Sequence, residues 1–168
     1  MKGPALLASS VALTACLAAS PASAQQWVLG GAAGLASGVA GGGPSGSAMQ
    51  RARTRLRLAV DFHVDEFPKD VFAIGVLTEI EPHAGFGVDA RYLRSISQRV
   101  QLNAGGIALL FPQTLLGPAC GMDLRFGLGH AVSLTVGPEI NVFVFGSDLV
   151  GNSIVWQALL QVGVHFDL

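Results

Sequence analysis

Charge is scarce in this chain. Only 12% of its 168 residues are Asp, Glu, Lys or Arg, against about 25% in an ordinary soluble domain, which argues against a cytosolic enzyme. Charge of one sign is missing too. The formal net charge is -1 and the pI about 6.4, so there is no electrostatic footprint for nucleic acid. Disorder is excluded from the other side: 51% of the residues are hydrophobic and the mean hydropathy is +0.52, whereas disordered chains are poor in apolar residues and rich in charge. Cysteine is nearly absent, with two residues, Cys16 and Cys120. What is abundant is glycine, 22 residues, well above the usual share of ~7%. The composition describes a membrane protein or a tightly packed β protein.

The one continuous apolar stretch lies at the start. Met1-Lys2 is a short positive opening, residues 5–19 are almost all apolar or small, and Ala22-Ser23-Ala24 fits a small-x-small cleavage pattern. This reads as a secretory signal peptide over residues 1–24, with Gln25 the first mature residue. The stretch is too short for a membrane helix. A second reading exists, since Leu13-Thr14-Ala15-Cys16 resembles a bacterial lipobox in which Cys16 would be lipidated. With cleavage after Ala24, Cys120 is the only mature thiol and no internal disulfide can form.

From residue 54 onward the hydropathy has a period of two. Leu56, Leu58, Val60, Phe62 and Val64 alternate with Arg55, Arg57, Ala59, Asp61 and His63, an amphipathic strand. The pattern recurs around Phe72–Glu81, Phe86–Tyr92, Val100–Gly105, Gly121–Leu128, Val132–Val144 and Leu160–Leu168, giving seven strands. Turn signals separate them: residues 66–70 and 81–85, Ser95–Arg99, Pro112–Pro118, Gly129-His130 and Gly146–Ser153. The strands are about 9–13 residues long, more than the ~5–6 of soluble sheets and close to the ~9–11 that cross a bilayer at a tilt. Trp27–Gly43 is dense in Gly and Ala; glycine costs a helix about 1 kcal/mol per residue, so this segment is expected to be an eighth strand.

An open sheet leaves edge groups unpaired and cannot sit in lipid, so eight such strands must close. Two closures compete. A soluble lipocalin-like binder would turn its apolar face inward; a membrane barrel turns it to lipid and lines its interior with the polar face. The polar face carries Gly75, Gly87, Gly105, Gly121, Gly127, Gly137 and Gly163, and small residues suit a narrow eight-stranded interior. The expected fold is therefore all-β, an eight-stranded antiparallel up-and-down transmembrane β-barrel over residues 25–168. Long connections are expected at residues 40–53, 112–118 and 146–153, the outer side of such a barrel, with both termini periplasmic.

These features resemble the small bacterial outer-membrane β-barrel proteins of the OmpA, OmpX and OmpW type. The carriers are the secretory start, the Gly-rich opening strand, the even strand count and the alternating end Leu160-Gln161-Val162-Gly163-Val164-His165-Phe166-Asp167-Leu168. The resemblance implies residence in the outer membrane of a Gram-negative cell, contact with its lipid, and insertion by machinery that reads the last strand. The family typically ends in an aromatic; this chain ends in Leu168, with Phe166 on the same face.

The inner face is expected to carry Arg55, Arg57, Arg91 and Arg125 against Asp61, Glu79, Asp89, Asp123 and Glu139. Buried charges must pair, so the set reads as an ion-pair network closing the lumen; the alternative is a charged path for a small solute. Trp27, Tyr92 and Trp156 are expected near strand ends, in interfacial girdles. His63 and His165 share the inner face, but no pair has metal-ligand spacing, no serine sits in a nucleophile motif, and the Gly-rich residues 41–46 lead into no phosphate-binding helix. No catalytic site, metal or other cofactor is expected. The role read from sequence is structural or surface-interacting, as a monomer, with solute passage or secreted soluble binding as the alternatives.

Overall fold

The computed structural model describes residues 27–42, 51–81, 83–147, 149 and 153–167. The cleavage site after Ala24, Cys16 and Leu168 lie outside the described residues.

Eight long strands run antiparallel: β1 Trp27–Gly42, β2 Arg51–Val64, β3 Asp70–Glu81, β4 Gly85–Ser95, β5 Val100–Phe111, β6 Leu115–Gly127, β7 Val132–Phe143 and β8 Val155–Asp167. After Val144, β7 resumes for two residues, Phe145–Gly146, which pair with Leu116 and Leu115. Each strand bonds to its neighbour in sequence, and β1 bonds to β8 from Gly30↔Asp167 to Gly42↔Val155. The sheet therefore closes on itself and has no free edge. The Gly/Ala-rich opening segment is a 16-residue strand at the seam, as its glycine content had argued.

The burial pattern follows the period of two. Along β3, Val71, Ala73, Gly75, Leu77 and Glu79 are buried while Phe72, Ile74, Val76, Thr78 and Ile80 are exposed. On β2, Leu58 is 60% exposed and Arg55 only 2%. The apolar face is outside and the charged face inside, the inverse of a soluble lipocalin-like binder. At about 25 cal/mol per Å2, such a wall is stable only against lipid.

The connections depart from the sequence expectation. Residues 43–50 and 147–154 separate β1 from β2 and β7 from β8, but only residues 112–114 separate β5 from β6. Leu115 to Pro118, expected in a long loop, belong to β6. Two things hold them there. Leu115 is buried in an interior apolar cluster. Pro118 pairs with Gly106 of β5, while on the β7 side the ladder lapses between Ala119↔Asn141 and Leu116↔Phe145, so its missing N–H costs no bond. The first connection is also shorter than expected, because β2 begins at Arg51 and brings Arg53 inside. Trp27, where β1 begins, Asp167, where β8 ends, and the turns 65–69, 96–99 and 128–131 lie at one end of the barrel; the strand ends flanking the other four connections lie at the opposite end.

Candidate functional site: the barrel interior

Inner-face parity puts one charged or amide side chain after another into the lumen, and the pairing register decides which meet. At the centre stands Glu139 of β7, 1% exposed. It accepts hydrogen bonds from Arg91 Nη1 and Nη2 at 2.9 and 3.0 Å and from Arg55 Nη2. Arg91 also donates through Nε to Asp89 at 2.5 Å, and Arg57 Nε reaches the same Asp89 oxygen at 2.8 Å. Five groups from three strands, β2, β4 and β7, thus form one chain, Arg57–Asp89–Arg91–Glu139–Arg55. Charge-assisted, partly bidentate bonds of this kind are the strong class.

Gly75 makes this cluster possible. A Cβ there would run into the Asp89 carboxylate and come within 3.2 Å of Arg57 Nε. Gly121 does the same for Asn103, whose amide lies 3.1 Å from where a Cβ would stand. Gly75 and Gly121 are thus space that the side chains of Asp89, Arg57 and Asn103 occupy.

Toward the loop end, Arg53 Nη1 meets Glu79 Oε2 at 2.6 Å, and Gln157 Nε2 donates to Glu79 Oε1 at 3.1 Å. Beside this pair sits an apolar cluster of Leu77, Ile107, Leu109, Leu115, Ala119 and Phe143, with Leu149 and Val155 packed against it. Leu77, Ile107 and Phe143 are fully buried. Toward the terminal end, His165 bridges Arg125 and Asp61, with Nδ1 2.8 Å from Arg125 Nη2 and Nε2 2.6 Å from Asp61 Oδ2. Arginine can only donate, so Nδ1 accepts and Nε2–H is the donor to Asp61. Asp123 has amide partners, Asn103 at 2.9 Å and Gln161.

All nine residues singled out on the inner face line the interior, but in four groups. Arg55, Arg57, Asp89, Arg91 and Glu139 share the central chain. Glu79 pairs with Arg53. Asp61 and Arg125 meet only through His165, and Asp123 is held by amides. Arg125 and Glu139 do not touch: Arg125 bonds Ser133 at 3.2 Å and His165, and its register partner Thr135 lies four residues from Glu139, about 13 Å along a strand.

Sequence reasoning put His165 on the inner face without finding its partners, counted none of the amides Gln101, Asn103, Asn141 and Gln161 in the network, and missed Arg53, Gln157 and the apolar cluster. Parity was the available signal. Phe143 is in phase with Glu139 and Asn141, and Leu77 with Gly75 and Glu79, so their inward direction was legible even though their hydropathy pointed outward.

The aromatic residues occupy both ends of the outer wall. Trp27, Phe62, Phe72 and Tyr92 make a ladder across β1 to β4, with ring centroids 5.8, 6.0 and 5.4 Å apart. It lies at the end that carries the termini. Trp156 lies at the other end, against Gly41, where Phe86, Phe111 and Phe145 are also exposed. Between these belts most of the large exposed side chains are Leu, Ile and Val, the arrangement of a barrel spanning a bilayer.

Among solved structures, the chain is similar to a crystal structure of Neisserial surface protein A, with 14% identity, TM-score 0.61, and coverage of 83% of this chain and 97% of that one. The chain folds as a small outer-membrane β-barrel. Its apolar belt on that fold puts it in the outer membrane. Looser likenesses are a de novo designed transmembrane β-barrel (10% identity, TM-score 0.42, 82% and 95% coverage) and the attachment invasion locus protein Ail of Yersinia pestis in complex with a heparin analogue (15%, 0.43, 84% and 99%). No family model matches the chain, and no curated protein matches it.

Among the described residues no group of three or more His, Cys, Asp or Glu is placed to hold a metal ion. Among the described residues the interior retains a space of about 220 Å3 at the loop-end mouth, beside Arg53, Gln113 and Leu115, and two smaller ones deeper in. One of about 60 Å3 borders Arg55, Arg57, Gln101 and Asp123; one of about 120 Å3 lies toward the terminal end beside Arg57, Asp61, Arg125 and His165. Arg57 Nη2 and Asp61 Oδ1 have no protein partner. Spaces this size, lined by polar groups, accommodate ordered water.

Proposed function

We propose that the barrel is a structural and surface-interacting protein of the outer membrane whose lumen does not conduct, leaving its working surface at the loop end. The observation that carries this reading is the filling of the interior by two unlike materials. The central chain Arg57–Asp89–Arg91–Glu139–Arg55 fills the middle of the barrel and the apolar cluster around Phe143 and Ile107 lies on its loop side; the spaces beside the central chain are small, about 60 and 120 Å3, and a larger one of about 220 Å3 lies at the loop-end mouth beside Arg53, Gln113 and Leu115. An ion would have to break a buried charge network and then cross a dry apolar layer, each step costing several kcal/mol. The reading includes a monomer, insertion through the strand Val155–Asp167, and no enzymatic step.

Planar-bilayer recording tests it. The folded wild-type protein should give no steady current. A sustained open-channel current from the wild type overturns the proposal and puts solute passage in its place.

A further inference from the structure

The outer wall is not uniform. Across β4 to β7 it carries a groove of about 510 Å3 whose floor is Ala104 and Cys120 and whose sides include Tyr92, Leu102, Met122 and Ile140. The floor is low because Ala104 and Cys120 are register partners, two small side chains side by side between the larger Tyr92, Leu102, Met122 and Ile140. The polar atoms nearby are already committed. The Tyr92 hydroxyl donates to Asp70 at 2.5 Å, and the Asn103 amide points inward to Asp123. What faces the bilayer is apolar.

The groove also has a direction. Its central row is Tyr92, Ala104, Cys120 and Ile140, one residue from each of four bonded strands. Tyr92 lies three residues from the terminal end of its strand, Ala104 four, Cys120 seven and Ile140 eight. The row spans about 14 Å in the hydrogen-bonding direction while climbing from the interfacial aromatic ladder into the hydrocarbon. At its low end stands Arg94, which lines the groove. Its side chain is 63% exposed; it hydrogen-bonds the Tyr92 hydroxyl and pairs with Asp70 at a loose 3.7 Å. Most of the five guanidinium donors remain open, and the exposed Arg99 follows in the adjoining turn.

We propose that this groove seats an acyl chain of one glycerophospholipid of the periplasmic leaflet, with its phosphate on the Arg94 guanidinium. An apolar channel that starts at a cation in the interface and ascends obliquely into the membrane has the shape and polarity of that molecule. Arginine is suited to phosphate through paired donors. A neighbouring barrel would have no use for a cation at one end, and an outer-leaflet lipid would approach from the opposite end.

The test uses full-length mature barrel folded in phosphatidylcholine vesicles doped with phosphatidylglycerol that carries a diazirine on one acyl chain. After irradiation, mass spectrometry maps the adducts. Labelling of Cys120, Met122 and Ile140 should exceed that of Leu58 and Ile74, on the other side of the wall, by about tenfold. The double variant Ala104→Leu, Cys120→Leu should lose that excess. Arg94→Gln should abolish the preference for the phosphatidylglycerol probe over a phosphatidylcholine probe with the same tail. Even labelling around the wild-type wall overturns the proposal, and so does excess labelling that survives the filled groove. An unchanged headgroup preference in Arg94→Gln removes the phosphate contact. Disulfide cross-linking of two wild-type chains through Cys120 would assign the groove to a second copy instead.

Discussion

Glu139 offers the sharpest perturbation. It is buried in the centre of the lumen and bonded to two arginines, Arg91 and Arg55. Glu139→Ala removes the only carboxylate that Arg55 touches and one of the two that Arg91 touches. Two guanidiniums are then left in a narrow interior with one carboxylate, Asp89, which Arg57 already shares. Breaking a buried pair costs about 3–5 kcal/mol because the surviving charge is uncompensated, and with two cations affected the upper part of that range is expected. Arg91→Ala should cost less, because Glu139 keeps Arg55 and Asp89 keeps Arg57. In the double variant the loss should fall short of the sum by about 0.5–3 kcal/mol, the coupling of groups in contact. Arg125 supplies the control. It lies in a separate group with His165 and Ser133, so Arg125→Ala and Glu139→Ala should add to within about 0.5 kcal/mol. The assay is equilibrium urea unfolding in lipid vesicles, followed by the fluorescence of Trp27 and Trp156. Additive losses for Arg91 and Glu139, or a neutral Glu139→Ala, would refute the network reasoning. Strong coupling between Arg125 and Glu139 would refute the assigned partners.

Leu58→Arg places a charge on the outward face and should cost about 2–4 kcal/mol at mid-membrane; unchanged folding in vesicles would mean that the facing of β2 is wrong. Phe143→Ala hollows the apolar cluster and should cost about 3–5 kcal/mol, read in the same unfolding assay, while the central charges keep planar-bilayer current at zero. A steady current from that variant would locate the seal in the apolar layer rather than in the ion pairs. Intact-mass measurement of membrane-extracted protein should give a chain beginning at Gln25; a diacylated product starting at Cys16 would establish lipoprotein processing instead.

Sequence alone determined the architecture, because in a barrel the architecture is a local property. A period of two, strands of bilayer-spanning length and an even count leave closure as the only way to satisfy the backbone in lipid. Arg55, Asp61, Glu79 and Leu58 could be sorted to their faces by parity. Parity is blind to register, however, and register joins residues far apart in the chain: Arg55 to Glu139, Asp61 to His165, Arg57 to Asp89. Hydropathy misled where a residue's phase and its chemistry disagreed, as at Phe143 and Leu77, which are apolar yet inward, and at Pro118, a turn signal that sits in a strand. Only the closed sheet decided those cases, by bringing an apolar cluster together inside and by offering Pro118 a gap in the ladder. The oblique groove is likewise a tertiary fact. Nothing in the sequence joins Tyr92, Ala104, Cys120 and Ile140, and the stagger of four neighbouring strands alone turns them into one climbing row.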